Sequence, residues 1–404
     1  MSELLSNNEN IENLENIENL ENVEIVEKVE TWDKFDLNDD LLRGIYAYGF
    51  EVPSEIQKKA ILPIINGKDI IAQAQSGSGK TGCFSVGTLQ SIDTSQNTIQ
   101  AMIIVPTHEL VKQILGVISS LGSFMKDVRI KTIIGGTSIQ QDAAELRNNT
   151  PHIIIGCAGR IYDMVVRKHL VLSSLKLFVL DEADEMLSKG FKEQIYNIFQ
   201  HLPKSIQVAL FSATLPDDIL LLTRKFMRNP VKIIVKREEL SVAGIKQYFV
   251  AIQDDREKFN MLKNLFSIIS VSQCIIYCNS VKRVIDLYRA MMDDGFSVCC
   301  IHSSMDKVER DTVFRSFRDG GFRVLISSDV TSRGIDIQQV QIVVNFDVCK
   351  DVCTYLHRIG RSGRYGRIGS AINFITRKDV FYMKKVEAHY NINIEELPND
   401  FKGV

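Results

Sequence analysis

From Trp32 onward, short β-branched apolar runs alternate with amphipathic segments long enough to be helices. One set of runs reads DIIAQ (69–73), AMIIVP (101–106), HIIIG (152–156), LFVLD (177–181) and QVALFSAT (207–214). A second set follows Ile245: QCIIYCNS, VCCIHSS, FRVLISSD, QIVVNFD and SAINFIT. Runs that stay apolar instead of alternating predict strands buried on both faces, and helices between them predict βαβ units in a parallel sheet. Between the two sets lies the charged, Gly-containing stretch KREELSVAGIK (236–246). The pattern therefore predicts an α/β chain with one domain over 31–236, a linker over 237–244 and a second domain over 245–404.

The first 30 residues obey a different rule. Ile11, Leu14, Ile17, Leu20, Val23, Val26 and Val29 recur every third residue among Asn and Glu. A helix turns once in about 3.6 residues, so this spacing walks the apolar side chains around the axis and builds no stripe, which disfavours a coiled coil. An acidic, solvated tail over 1–30 is the expectation.

Charge sharpens that division. The chain carries −2, but residues 1–30 hold nine Glu against one Lys, a local −8, which leaves +6 on the rest. A body this weakly basic is compatible with a polyanion and does not by itself point to one. Length adds that 404 residues suffice for two or three domains with real cores. No apolar run approaches the roughly 20 residues of a membrane span, and the N-terminus has neither the basic start nor the apolar core of a secretion signal. A soluble protein of the cytoplasm, or alternatively the nucleus, is expected. The eight cysteines form no CxxC pair and have no His spaced for zinc, so reduced thiols are expected, most of them packed as small hydrophobes.

Nearly every apolar run ends in polar or Gly-rich residues: SGSGKT, PTHEL, GGTS, DEAD, SAT, CNS, HSSM and SDVTSRGID. Ligands of open α/β sheets bind beyond the carboxyl ends of the strands, so these tips are where a site would be built. In AQSGSGKT (74–81) Gly77 and Gly79 let backbone N–H groups approach phosphates, Lys80 serves the β/γ oxygens, and the Thr81 hydroxyl suits Mg²⁺. Ala74 stands where the general phosphate-loop pattern has Gly. In FVLDEAD a buried strand delivers Asp181 and Glu182 to its tip, one placed to hold a Mg²⁺ water and the other to orient an attacking water. A helix cap is the plain alternative for such an acidic pair. YLHRIGRSGRYGR (355–367) sets four Arg among small residues, suited to phosphate by the guanidinium fork, or else to a basic solvated face.

Taken in order, GFEVPSEIQ (49–57), AQSGSGKT, PTHEL, GG, DEAD, SAT, SRGID and HRIGRSGR resemble the DEAD-box ATP-dependent RNA helicases, over about residues 31–404. Within them, LLRGIYAYGFEVPSEIQ, RGIDIQQVQIVVNFD and YNINIEELP look like the initiation-factor four-A group, which includes its exon-junction relative. The resemblance implies two RecA-like P-loop NTPase domains with ATP and Mg²⁺ at the interdomain cleft. It implies that Gln57 reads adenine while Phe50 stacks on it. Gln75, Ser76, Gly77, Ser78, Gly79, Lys80 and Thr81 would hold the phosphates, with Thr81 and Asp181 at the metal. Glu182 would handle the attacking water, Asp336 would contact ATP, and Arg361 and Arg364 would act as arginine fingers. Ser212, Thr214 and His357 would couple hydrolysis to movement. RNA would be held by its backbone near Thr107, His108, Gly136, Gly159, Arg160, Asn279 and Ser328. The implied partners are RNA, single-stranded or a short duplex of any sequence, and a helical-repeat scaffold protein, with the chain itself a monomer.

Some positions depart from the family pattern: His108 for Arg, Cys157 and Ala158 for Thr and Pro, Lys307 for Gln, and Ser328 for Thr. All but one fall near the implied RNA path, whereas the nucleotide residues are intact. The expected function is RNA-stimulated ATP hydrolysis that unwinds short duplexes or remodels RNA–protein complexes, in translation initiation. An ATP-gated RNA clamp is the alternative from another class and would hold RNA through many hydrolysis cycles. A DNA-directed ATPase would respond equally to DNA.

Overall fold

Each set of apolar runs becomes one parallel sheet in the computed structural model, which describes residues 28–74, 77–187, 190–215, 217–223, 225–234, 245–269, 273–331, 340–362, 369–398 and 401. The chain divides into two compact units, the first ending at Ile234 and the second beginning at Val235, with the short stretches Ala74–Ser78 and Thr107–Gln113 grouped with the second. The linker expected over 237–244 and the acidic tail up to residue 27 lie outside the described residues.

The first unit runs α1 (Asp39–Ala47), α2 (Glu55–Ile65), β1 (Ile70–Gln73), α3 (Lys80–Ser91), β2 (Ala101–Ile104), α4 (His108–Leu121), β3 (Ile130–Ile133), α5 (Ile139–Asn148), β4 (Ile153–Gly156), α6 (Ala158–Val166), β5 (Leu177–Leu180), α7 (Ala183–Met186), α8 (Lys192–Phe199), β6 (Gln207–Ser212), α9 (Asp217–Thr223) and β7 (Val231–Ile234). Its strands lie in the order β3-β4-β2-β5-β6-β1-β7. Every described pairing in it is parallel. The second unit runs β8 (Ile245–Ala251), α10 (Lys258–Ile268), β9 (Gln273–Tyr277), α11 (Val281–Asp293), β10 (Val298–Ile301), α12 (Lys307–Arg318), β11 (Val324–Ser327), β12 (Val340–Asn345), α13 (Val352–Ile359), β13 (Gly369–Ile375), α14 (Val380–Tyr390) and β14 (Glu395–Glu396). Its order is β10-β11-β9-β12-β13-β8-β14, again with parallel pairings.

Why the apolar runs are continuous is visible in the burial of the central strands. All residues of β2, β4, β5 and β6 are buried. Alternate side chains serve opposite faces: Met102, Ile104, Ile154, Phe178, Leu180, Val208 and Leu210 join one core cluster with α6 and α8. On the other face Phe211 meets Phe84 of α3 at 5.2 Å between ring centroids. Each such side chain stabilises the fold by about 1.5–3 kcal/mol through burial. The apolar runs omit β3, β7, β8 and β14, and the structure shows the reason. β3 and β8 are mostly half-buried, β14 is exposed, and β7 alternates around Lys232.

All eight cysteines are free thiols. Burial pushes the thiols of Cys83, Cys274, Cys278, Cys299 and Cys349 up, as expected for thiols packed as apolar side chains. Among the described residues no helix is long and apolar enough to cross a membrane.

Helix α1 seats on the end of α4 through a glycine. A Cβ on Gly44 would lie 1.8 Å from the Leu121 carbonyl oxygen and 2.8 Å from its carbon, both backbone atoms that cannot swing aside. Gly44→Ala must therefore displace a helix, and we expect a loss of about 1–3 kcal/mol or more in unfolding free energy, read by chemical denaturation followed by circular dichroism.

Candidate functional site

The end of β1 leads into α3, and two glycines make that passage possible. Gly77 and Gly79 sit at φ 84° and 99°, in the left-handed region that favours glycine. Gly79 is the residue preceding α3, so the N–H groups of the first helical turn, which have no partner within the helix ladder, open directly beyond it. A Cβ there would also fall 2.6 Å from Ser54 Oγ and 2.9 Å from Gln57 Nε2. Lys80 opens the helix with 6% exposure, Thr81 follows half-buried, and Ser78 is half-buried in the loop. Gln75 and Ser76 lie outside the described residues.

Helix α2 holds this loop from below. Gln57, 3% exposed, donates from Nε2 to the Gly79 carbonyl at 3.2 Å and accepts the Ser54 N–H at 2.8 Å. One amide N–H and one oxygen lone pair remain for a ligand. Phe50 stacks on Trp32 (6.1 Å between centroids, 9° between planes) and meets Tyr48 in a T-shaped pair at 4.8 Å. A Cβ on Gly82 would lie 2.7 Å from Gln57 Nε2 and 2.9 Å from Phe50 Cε2, so the aromatic ring, the amide and the first turn of α3 form one packed group.

Across β6, two strands from β1, β5 delivers the carboxylates. Asp181 is 3% exposed and its Oδ1 accepts the Glu182 N–H at 2.9 Å. Burial, and after it the Glu182 carboxylate, pushes the Asp181 carboxyl above its ordinary range, while the Lys80 ammonium pulls it back. Glu182 sits at φ 51°, ψ 49°, a left-handed conformation strained for a residue with a Cβ. It is 4% exposed, and its Oε2 has no hydrogen-bond partner among the described residues. Asp184 turns back to β6: its N–H donates to Ser212 Oγ at 3.2 Å and its Oδ2 accepts the Thr214 hydroxyl at 2.7 Å.

The other half of the same sheet edge carries a second group of tips. Thr107 Oγ1 accepts the Leu110 N–H at 3.3 Å at the head of α4, where His108 is half-buried. Gly136, after β3, has φ 85° with open space where a Cβ would stand. Gly159 and Arg160 lie in the first turn of α6, and Arg160 donates to Thr137 O (3.0 Å), Thr137 Oγ1 (2.9 Å) and Asp142 Oδ2 (3.1 Å). Cys157 precedes that helix without a side-chain capping bond.

In the second unit Asn279 follows β9 and Ser328 follows β11. The Asn279 amide makes one bond each way within the protein, donating to Val348 O at 2.9 Å and accepting from Arg358 at 2.7 Å. Ser328 Oγ is buried without a hydrogen-bond partner among the described residues. His357 and Arg361 are 1% and 2% exposed, and Arg361 Nε donates to the His357 carbonyl at 3.1 Å. Asp336 and Arg364 lie outside the described residues.

The DEAD/DEAH box helicase family matches residues 54–222, and the helicase conserved C-terminal domain matches 257–366. Eukaryotic initiation factor 4A of Caenorhabditis elegans is 49% identical over 366 residues, 91% of this chain and 90% of that protein. The chain belongs to the DEAD-box helicases. The helicase is likewise 49% identical over 368 residues to the ATP-dependent RNA helicase eIF4A of Saccharomyces cerevisiae, covering 91% of this chain and 92% of that one. Among solved structures, S. cerevisiae Dbp5 bound to RNA and ADP BeF3 matches with a TM-score of 0.85 at 34% identity, over 92% of this chain and 96% of the other. The two parallel sheets are the RecA-like domains of that family.

Sequence reasoning about this helicase missed Arg358, which it counted only as one basic residue of four. The side chain is fully buried, 2.6 Å from Asp329, and donates to the Asp347 carbonyl at 2.8 Å and to Asn279 Oδ1 at 2.7 Å, over the Tyr277 ring at 5.2 Å. It joins α13 to the tips of β9, β11 and β12, and its partners are too far away in sequence to leave a local signal. Arg358→Ala takes the donor from the Asp347 carbonyl and from the Asn279 amide oxygen, while the exposed Asp329 carboxylate can return to water, so we expect a loss of about 1–3 kcal/mol for each buried group left unbonded. Arg358→Lys should recover only part of it, because one ammonium cannot span three acceptors. Urea unfolding of the two variants checks both statements.

Proposed function

We propose that this chain is an ATP-dependent RNA helicase of translation initiation, in which RNA-stimulated ATP hydrolysis drives local unwinding of short duplexes or remodelling of RNA–protein complexes. The names of its relatives support that reading: initiation factor 4A in C. elegans and ATP-dependent RNA helicase in S. cerevisiae. The observation that carries it is Glu182, a buried carboxylate with one oxygen lacking a hydrogen bond, beside Asp181, whose own carboxyl lies within the field of Lys80. A carboxylate left in that state suits a group that takes its hydrogen bond from an attacking water.

In this reading Phe50 and Gln57 select adenine, while Gly77, Ser78, Gly79, Lys80 and Thr81 hold the phosphates. Gln75 and Ser76 are assigned to the same loop, and Asp336 to the nucleotide. Arg361 and Arg364 are assigned to charge on the transferring phosphoryl group. Mg²⁺ fits the donor set. The Thr81 hydroxyl and Asp181 carboxylate are hard oxygens, and a divalent cation would offset the burial that raises Asp181. When bound, such an ion neutralises developing charge on the phosphate oxygens. The chain's own part is to orient water at Glu182, to bond the phosphates from α3, and to tie the acidic tip to β6 through Ser212 and Thr214. His357 is assigned to that coupling. RNA, held by its backbone, is the proposed macromolecular substrate, with a helical-repeat scaffold as protein partner and a monomer in the cytoplasm as the working state.

Lys80→Ala should abolish ATP hydrolysis, and Glu182→Gln should block hydrolysis while ATP still binds, as read by phosphate release and by equilibrium binding of a fluorescent nucleotide. Arg364→Ala should slow turnover by roughly 10³-fold with binding retained. Near-normal turnover in Lys80→Ala would overturn the proposal. A second outcome concerns the RNA path. His108 lacks the permanent charge and the bidentate fork of an Arg, and Cys157 is a poorer donor than Thr. His108→Arg combined with Cys157→Thr should tighten RNA binding and steepen its log–log salt dependence by about 0.7 per added phosphate contact. Unchanged affinity and slope would mean that these side chains do not face RNA.

A further inference from the structure

The loop after β3 and the first turn of α6 leave different strands, yet a single carboxylate holds both. Asp142, on α5, is 4% exposed. Its Oδ2 accepts the Thr137 hydroxyl at 2.7 Å and Arg160 Nη1 at 3.1 Å, and its Oδ1 lies 3.4 Å from Lys131 Nζ. Arg160 closes the arrangement from the other side, with Nη1 donating to Thr137 Oγ1 at 2.9 Å and Nη2 to the Thr137 carbonyl at 3.0 Å. Lys131 is in turn paired with Glu145, on the same helix as Asp142. Gly136 and Arg160, two positions assigned to RNA, therefore share one fixed geometry. Both Nη atoms of Arg160 already have protein acceptors, and the side chain is only 12% exposed.

We propose that Asp142 is a positioning residue for the RNA path of the first unit, and that Arg160 acts with it as a brace on the Gly136–Thr137 loop instead of as a phosphate ligand. What meets the RNA backbone is then the main chain that the brace holds, at Gly136 where no side chain intervenes. Charge and geometry agree on this. A guanidinium bonded to a buried carboxylate has its charge compensated, so it offers a phosphate little, whereas losing it leaves Asp142 with Lys131 as its paired cation and the loop tied to it by the Thr137 hydroxyl alone. The inference rests on the reading of this chain as an RNA-binding helicase.

The test uses the full chain, a fluorescein-labelled oligouridine strand and a non-hydrolysable ATP analogue, with anisotropy measured across a KCl series. Wild type should bind with salt-dependent affinity; a wild type that does not bind would bring down the RNA reading itself, and this proposal with it. Given wild-type binding, Asp142→Asn and Arg160→Gln should each weaken it by about tenfold, with the double variant no weaker than the weaker single, because coupled residues are not additive. The salt slope should stay at the wild-type value in all three, and Arg160→Lys should fail to restore affinity. Four outcomes would overturn the brace while leaving the helicase reading intact: a slope shallower by about 0.7 in Arg160→Gln, tighter binding in Asp142→Asn, additive losses, or unchanged affinity. Should Arg160→Gln fail to fold, Thr137→Val carries the test, since it removes a tie and no charge. The same loss with an unchanged slope is expected there, and unchanged affinity overturns the proposal.

Discussion

A strand buried on both faces has no place for a polar side chain except where it ends, and that constraint organises both units. The central strands β2, β4, β5 and β6 admit almost nothing but apolar residues along their length, so Asp181, Ser212 and Thr107 can stand only at or beyond their carboxyl ends. Strand order then decides which chemistry shares a neighbourhood. In the first unit β5, β6 and β1 are adjacent, which gathers the acidic pair, the Ser212–Thr214 turn and the phosphate loop on one half of the edge. β2, β4 and β3 are adjacent on the other half and gather Thr107, Arg160 and Gly136. The division between a proposed nucleotide half and a proposed RNA half thus follows from sheet topology before any side chain is considered.

Tips built from loops need bracing, and the braces are buried charges. Asp142 holds two tips in the first unit, and Arg358 holds three in the second. Lys258, 2% exposed, lies 3.1 Å from Asp255, 3.5 Å from Asp347 and 3.7 Å from Asp379, and Asp347 in turn accepts the Asn279 N–H at 3.0 Å. Desolvating such groups is unfavourable, so an apolar replacement of equal volume could be as stable. What an apolar side chain cannot do is fix the directions of several backbone segments at once. Fully satisfied hydrogen-bonding networks rigidify and specify, which is the property a binding edge requires.

Legibility in the sequence followed the range of the interactions involved. The phosphate loop and the acidic tip were readable because each is set by a few consecutive residues: glycines at positive φ, a lysine at the first helical position, a carboxylate after an apolar run. β3 and β8 were not, because half-buried strands near a sheet edge carry a mixed pattern. Arg160 and Asn279 were legible as positions at the tips, but the bonds of their side chains were not, since only the fold brings those protein groups near. Arg358 and Asp142 left no signal at all. Asp329 is 29 residues from Arg358, and Arg160 is 18 from Asp142, separations over which no local periodicity speaks.

Glu182 shows how far such bracing can be taken. Its backbone is in the left-handed region, which costs of the order of 1–3 kcal/mol, and one oxygen of its buried carboxylate goes without a hydrogen bond. Neither feature would persist at a site free to relax. Here the residue before it bonds its N–H, and two residues after it Asp184 is bonded through both its backbone and its carboxylate to the end of β6. With the chain fixed on both sides, the backbone strain cannot be released by a local turn. A group held desolvated and short of one hydrogen bond is lowest in energy when a donor is delivered to it, and in the proposed reaction that donor is water. The strength of the proposed catalytic position therefore lies less in Glu182 itself than in the Ser212–Asp184–Thr214 ties that keep it from finding a better arrangement.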